Sequence, residues 1–163
     1  MTLTIREATE GDFEALCTVV SEVDELHRRA LPHRFVASEG PARPFEYFAD
    51  AIRADDVGLF VAEIAGQVVG LVRVIVQDVA AIPILVPRRY AVVENLVVLR
   101  AHRRHGVGRA LLERAEGWAR AKGAASIELN VYAFNQDACT FYAELGFRNL
   151  SHYLSKSLAA PDA

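Results

Sequence analysis

"RRHGVGRALLERAEGWARAKG", residues 103–123, decides how the rest of the chain is read. Two glycines, Gly106 and Gly108, follow the basic run Arg103, Arg104 and His105 and precede an apolar repeat. Val107, Ala110, Leu111, Ala115, Trp118 and Ala119 recur at helical spacing, and Lys122 before Gly123 supplies a C-terminal stop. Glycine is a poor helix former, so its place at the front of this repeat marks a strand-to-helix turn. The first N–H groups of a helix project unpaired from its end, where the dipole places partial positive charge. Glycine lets such a turn approach phosphate oxygens without an intervening Cβ, and Arg103, Arg104, His105 and Arg109 add local positive potential. The stretch reads as a diphosphate cradle. The plainer alternative is a tight turn closed by glycine with solvated basic side chains.

Strands and helices alternate around it. "YAVVENLVVL", 90–99, is apolar except for Glu94 and Asn95, as expected of a strand covered on both faces at the centre of a sheet. Residues 3–9 alternate like a first strand, and Phe13, Leu16, Val19, Val20, Val23 and Leu26 define a first helix. A Pro- and Gly-rich loop over 33–44 precedes a short helix carrying Phe45, Phe48, Ala49 and Ile52. Residues 58–78 read as a hairpin around Ala65-Gly66-Gln67, and Pro83 and Pro87 make 80–90 a loop or an edge. After Gly123, Ile127, Leu129 and Val131 alternate as a strand. "NQDACTFYAELG", 135–146, is a helix with Asn135 as N-cap and Gly146 as stop, and "FRNLSHYLSKS", 147–157, fits a last strand. The expected architecture is a mixed α/β sheet with helices on both faces, one domain over 1–163, with 159–163 as a disordered tail.

Composition narrows the function. With 163 residues, 52% of them hydrophobic, the chain is long enough for one domain with a substantial core. Eighteen Lys plus Arg against 21 Asp plus Glu leave −3, so nothing global attracts nucleic acid or an anionic membrane. A nucleic-acid surface built on 100–109 calls for stacking aromatics nearby, and none stands there. "MTLTIREATEGDF" lacks the pattern of a signal peptide or a span, which points to a cytoplasmic protein. Cys17 and Cys139 have no CxxC or metal-type spacing and are expected as thiols, and His27 and His33 find no third ligand, so no metal is expected. His27, His33 and the basic residues between 28 and 34 face an acidic acceptor or form a solvated helix end. Edge strands and the apolar hairpin leave a homodimer possible.

The glycine turn lacks the Lys-Ser/Thr ending of a Walker loop and the full GxGxxG of a dinucleotide site, so ATP and NAD fit poorly. As Arg103-Arg104-His105-Gly106-Val107-Gly108, it resembles the R/Q-x-x-G-x-G/A signature of the GNAT superfamily of acyl-CoA-dependent N-acetyltransferases. A second segment is similar too: Asn135 opens a helix, Tyr142 lies seven residues on, and Gly146-Phe147 ends it. The resemblance implies a central, mostly antiparallel sheet of about six to seven strands with helices on both faces. It implies acetyl-CoA as cofactor and a small-molecule or peptide amine as acceptor.

It also implies roles by position. The backbone of Leu96, Val97 and Val98 would hold the pantetheine arm and polarise the thioester carbonyl. The turn from Arg103 through Arg104, His105, Gly106, Val107 and Gly108 to Arg109 would bind the pyrophosphate, and Asn135 would contact the cofactor arm. Tyr142 matches the general acid, since a phenol of ordinary pKa about 10 stays protonated at neutral pH and can donate to a thiolate. Packing in the core is its alternative. Glu94, a carboxylate in an apolar strand, is the first candidate for general base; an ion pair with a neighbour such as Arg73 is the alternative. Glu63 and Tyr90 are lesser candidates, and Cys139 reads as packing. A non-catalytic CoA-binding module of the same fold is the runner-up function.

Overall fold

A computed structural model describes residues 2–159. It divides into two compact units, Met1–Asn130 and Val131–Ala163. In the first, β1 (Leu3–Glu7) leads through a 3₁₀ turn into α1 (Phe13–Ala30), followed by α2 (Phe45–Arg53), β2 (Val57–Ile64) and β3 (Gln67–Asp78). β4 (Arg89–Val98), α3 (Val107–Ala121) and β5 (Ile127–Leu129) complete it. The second unit carries α4 (Gln136–Glu144).

The strands lie in the order β1-β2-β3-β4-β5, antiparallel throughout except for the parallel β4–β5 pair. Alternation along β2 assigns the helices to opposite faces. Leu59 and Val61 join the core formed with Leu16, Val19 and Val20 of α1 and Phe48 and Ala51 of α2. Phe60, between them, meets Trp118 of α3 edge-on, with ring centroids 6.4 Å apart. On β3, a Cβ at Gly70 would stand 2.9 Å from the Val97 carbonyl oxygen and 3.1 Å from Leu111 Cδ1, so the absent side chain lets α3 lie close to the sheet.

Three expectations are corrected. The centre of the sheet is β3, buried continuously from Val68 to Val72, whereas β4 is fourth of five and alternates in burial. An apolar run alone does not separate a central strand from one whose far side opens. The sheet has five strands, not six to seven, because 147–158 forms no strand. Leu150, Tyr153, Leu154 and Leu158 there are 84% to 91% exposed. Alternation marks a segment as compatible with a strand, but pairing needs an edge to pair with, and this segment has no ladder partner among the described residues. Of the expected disordered tail, residues 160–163 lie outside the described residues.

Candidate active site

The site in the first unit begins with an irregularity in β4. Arg73 of β3 pairs with Asn95 and Val74 with Val93, so Glu94 is the extra residue of a β-bulge. Strict alternation would send Glu94 and Asn95 to opposite faces; the bulge turns both toward one group. Arg73 forms an ion pair with Glu94 and stacks its guanidinium over the Tyr47 ring, 5.0 Å from the centroid. The Tyr47 hydroxyl lies 3.5 Å from Asn95 Oδ1. Arg43 also stands over the Tyr47 ring, at 5.7 Å, while its guanidinium donates to both carboxylate oxygens of Asp24 at 2.7 and 3.0 Å. The Arg73 side chain is 17% exposed and that of Glu94 is 35%, so the cation is half-buried and the carboxylate is the more exposed partner. Glu94 therefore has the ion pair named as its alternative role.

Past the bulge the strand opens. The β4–β5 ladder ends at Val93↔Leu129, so the β5 side of 94–98 has no strand partner among the described residues. On the other side, Leu96 and Val97 pair with Val72 and Leu71, and the Val97 side chain is buried in the core under α1 and α2. The Val98 carbonyl accepts from Arg103 Nε at 2.8 Å. Arg103 donates also to Glu22 of α1 at 3.0 Å, and the Arg100 N–H donates to the same carboxylate oxygen at 2.7 Å. The Arg103 side chain thus folds back to clamp the turn onto the strand and α1.

The turn itself presents backbone. Arg104 has φ +64° and Gly106 φ +81°, flanking His105, whose Nδ1 lies 2.7 Å from the Arg103 carbonyl oxygen. Backbone kinked in this way gathers successive N–H groups into a concave anion-binding surface. Gly106 is the N-cap of α3 without a capping side chain, and a Cβ there would meet nothing within 4 Å. Ala110 N–H is the first in α3 to find a carbonyl, that of Gly106, and the N–H groups from Arg104 to Arg109 have no hydrogen-bond partner among the described residues. Val107, 2% exposed, plugs the turn into the core, while Arg104, His105 and Arg109 remain exposed.

In the second unit, Asn135 caps α4, its Oδ1 accepting from the Ala138 N–H at 3.2 Å. The Tyr142 ring contacts Phe141 and Phe147, with centroids 5.2 and 5.5 Å away, and desolvation pushes the phenol up to about 12. Cys139 directs its thiol at the Tyr132 carbonyl, 3.9 Å away, and both cysteines are free thiols.

The lesser base candidates are engaged elsewhere. Glu63 accepts from Arg6 at 2.9 Å on β1, and the Tyr90 hydroxyl accepts from Gln77 with Arg88 over its ring. His27 is half-buried with Phe35 at 5.2 Å, and desolvation lowers its pKa. Sequence reasoning missed Tyr47, Asn95 and Glu22; only the bulge and the loop contacts identify them. Among the described residues there is no group of three metal-ligating side chains, and no helix is long and apolar enough to cross a membrane.

A bulged strand that parts from its neighbour and runs into a helix with unpaired leading N–H groups defines the class: an α+β protein with a run of unpaired backbone N–H groups beside an open strand edge. The sequence model of the acetyltransferase (GNAT) family matches residues 20–147, and the chain belongs to that family. It is 29% identical over 147 residues to an N-alpha-acetyltransferase of Sulfurisphaera tokodaii, covering 85% of this chain and 82% of that protein. It is 29% identical over 133 residues to a streptothricin acetyltransferase of Escherichia coli, covering 79% and 69%. A crystal structure of a variant of the BH1408 protein of Bacillus halodurans superposes with a TM-score of 0.91 at 25% identity, covering 96% of this chain and 99% of that one. Acetyl-CoA is the acyl donor general to the family. The free N–H run, with no side chain over Gly106, fits a diphosphate group.

Proposed function

We propose that the chain works as one N-acetyltransferase domain that moves the acetyl group of acetyl-CoA to a primary amine by direct attack in a ternary complex. The observation that carries this reading is the run of three features within 94–109: a carboxylate on a bulge, an open strand edge, and a turn of unpaired N–H groups. The open edge offers the backbone of Leu96 to Val98 to the pantetheine arm, and Arg104 to Arg109 offer N–H donors to the pyrophosphate, with Arg103 bracing the turn from behind. When bound, acetyl-CoA supplies an activated acetyl carbonyl and a thiol leaving group.

The chain's own residues manage protons. An acceptor ammonium must lose a proton before its nitrogen is nucleophilic, and the partly exposed Glu94 carboxylate takes it, directly or through water. Tyr142 holds its proton at neutral pH and gives it to the departing sulfur. Asn135 contacts the cofactor arm while capping α4.

The α-amine of a peptide is the acceptor to test first, because the relative similar over the larger share of this chain is an N-alpha-acetyltransferase. An α-amine, with an ordinary pKa near 8, also asks less of a base than a lysine amine near 10.4. Streptothricin is the second acceptor, on the second relative. The test is a thermal-shift comparison of acetyl-CoA, CoA, ATP and NAD, followed by CoA release with a free-N-terminus peptide and with streptothricin. A ligand at a hundred times its Kd adds about 2.7 kcal/mol, an easily seen shift. Stabilisation by CoA compounds alone, with amine-dependent CoA release, is the expected result. Equal stabilisation by all four compounds contradicts the cofactor assignment, and binding without turnover favours a non-catalytic CoA-binding module.

A further inference from the structure

Arg73 forms an ion pair with the Glu94 carboxylate. Arg73 Nε is buried with no hydrogen-bond partner, so the guanidinium sits where its own bonds are not all met. A buried donor left unpaired is costly, and a cation kept in such a place calls for an explanation other than its own satisfaction. The Tyr47 ring, 5.0 Å from the Arg73 guanidinium carbon, supplies that placement by a cation–π contact, and the Tyr47 hydroxyl reaches back to Asn95, the residue after Glu94.

We propose that Arg73, held by Tyr47, is a positioning residue for Glu94. It fixes the orientation of the partly exposed carboxylate, which is presented to the acceptor. In the step concerned, an N–H bond of the acceptor ammonium breaks, its electron pair stays on nitrogen, and the proton goes to the Glu94 carboxylate. Arg73 keeps its own proton throughout and touches no reacting atom. Charged and titratable groups near the carboxylate are Arg73 on β3, Tyr47 on α2 and, behind that ring, the Arg43–Asp24 pair. The assignment rests on the proposed role of Glu94 as base.

The test is a cycle of Arg73→Gln, Glu94→Gln and the double variant, with Arg73→Lys and Tyr47→Leu alongside. Each is assayed with whichever of the two amines the wild type acetylates, and each is checked for acetyl-CoA affinity and thermal unfolding. Arg73→Gln is expected to lower kcat more than ten-fold with acetyl-CoA affinity within two-fold of wild type, and Arg73→Lys to recover most of that loss. In the Glu94→Gln background, Arg73→Gln is expected to add less than two-fold. Tyr47→Leu leaves the ion pair chemically intact and is expected to lower kcat by a smaller factor, which keeps the inference testable if Arg73→Gln does not fold. An undiminished effect of Arg73→Gln in the Glu94→Gln background, or wild-type kcat in a folded Arg73→Gln enzyme, overturns the positioning role alone. Wild-type turnover in Glu94→Gln overturns the base assignment and this inference with it.

Discussion

The turn that opens α3 and the bulge in β4 stand at the two ends of one short run of chain, and they are built by opposite means. At the turn, two left-handed residues expose a row of backbone N–H groups while the Arg103 side chain faces inward to Glu22 and the Val98 carbonyl. At the bulge, a backbone irregularity re-aims two side chains, and what matters is which atoms Glu94 and Asn95 carry. A site made of backbone tolerates changes of side chain and fails on changes of conformation. A site made of re-aimed side chains does the reverse.

Substitutions at the two ends separate these behaviours. The largest effect is expected at the bulge: Glu94→Gln, isosteric and uncharged, should lower turnover of the amine about 100-fold with acetyl-CoA affinity within two-fold, read by steady-state kinetics and calorimetry. Tyr142→Phe should cost at least about ten-fold in kcat while sparing acetyl-CoA affinity; unchanged kcat removes Tyr142 from the acid role. At the turn, Gly106→Val forces a β-branched residue to φ +81° and should weaken acetyl-CoA binding about ten-fold, at a stability cost of about 1–3 kcal/mol. If affinity survives in the folded variant, the turn is not the phosphate site. Arg104→Ala, which keeps the backbone and removes only an exposed side chain, should change the acetyl-CoA Kd by less than about three-fold.

A control for stability lies away from both regions. The Arg6 guanidinium donates to both Asp12 oxygens, at 2.9 and 2.8 Å, and holds that carboxyl at about 2. The folded-state value is lowered, so the contribution is present above the ordinary value near 3.8 and is lost as pH falls from about 4 to about 2. Asp12→Asn should cost about 1–2 kcal/mol at pH 7 and flatten the acid limb of the stability curve in that window, with acetyl-CoA affinity unchanged.

The contrast between turn and bulge also explains what could be read from residues alone. Gly106, Gly108 and the apolar repeat after them announce a helix start, because glycine placement and helical period are local signals, and Asn135 announces its cap for the same reason. Glu94 stood out as a carboxylate in an apolar strand, and Arg73 could be named as its partner. The bulge could not be foreseen: it depends on the register between β3 and β4, which no single strand encodes, and with it went the shared orientation of Asn95 and the place of Tyr47 beneath Arg73. The left-handed Arg104 was hidden because a non-glycine residue gives no sign of positive φ. The supposed central place of β4 and the last strand over 147–157 failed for one reason, since a period of two reports compatibility with a sheet and says nothing of neighbours.

The central claim is that the backbone from Arg104 to Arg109 receives the pyrophosphate of acetyl-CoA. It is tested most directly by following backbone amide resonances of the ¹⁵N-labelled protein during titration with CoA. The amides of Arg104 to Arg109 should move most, with those of Leu96 to Val98 next, and Gly106→Val should suppress both responses. Saturable binding that leaves the 104–109 amides unmoved while others shift would contradict the account.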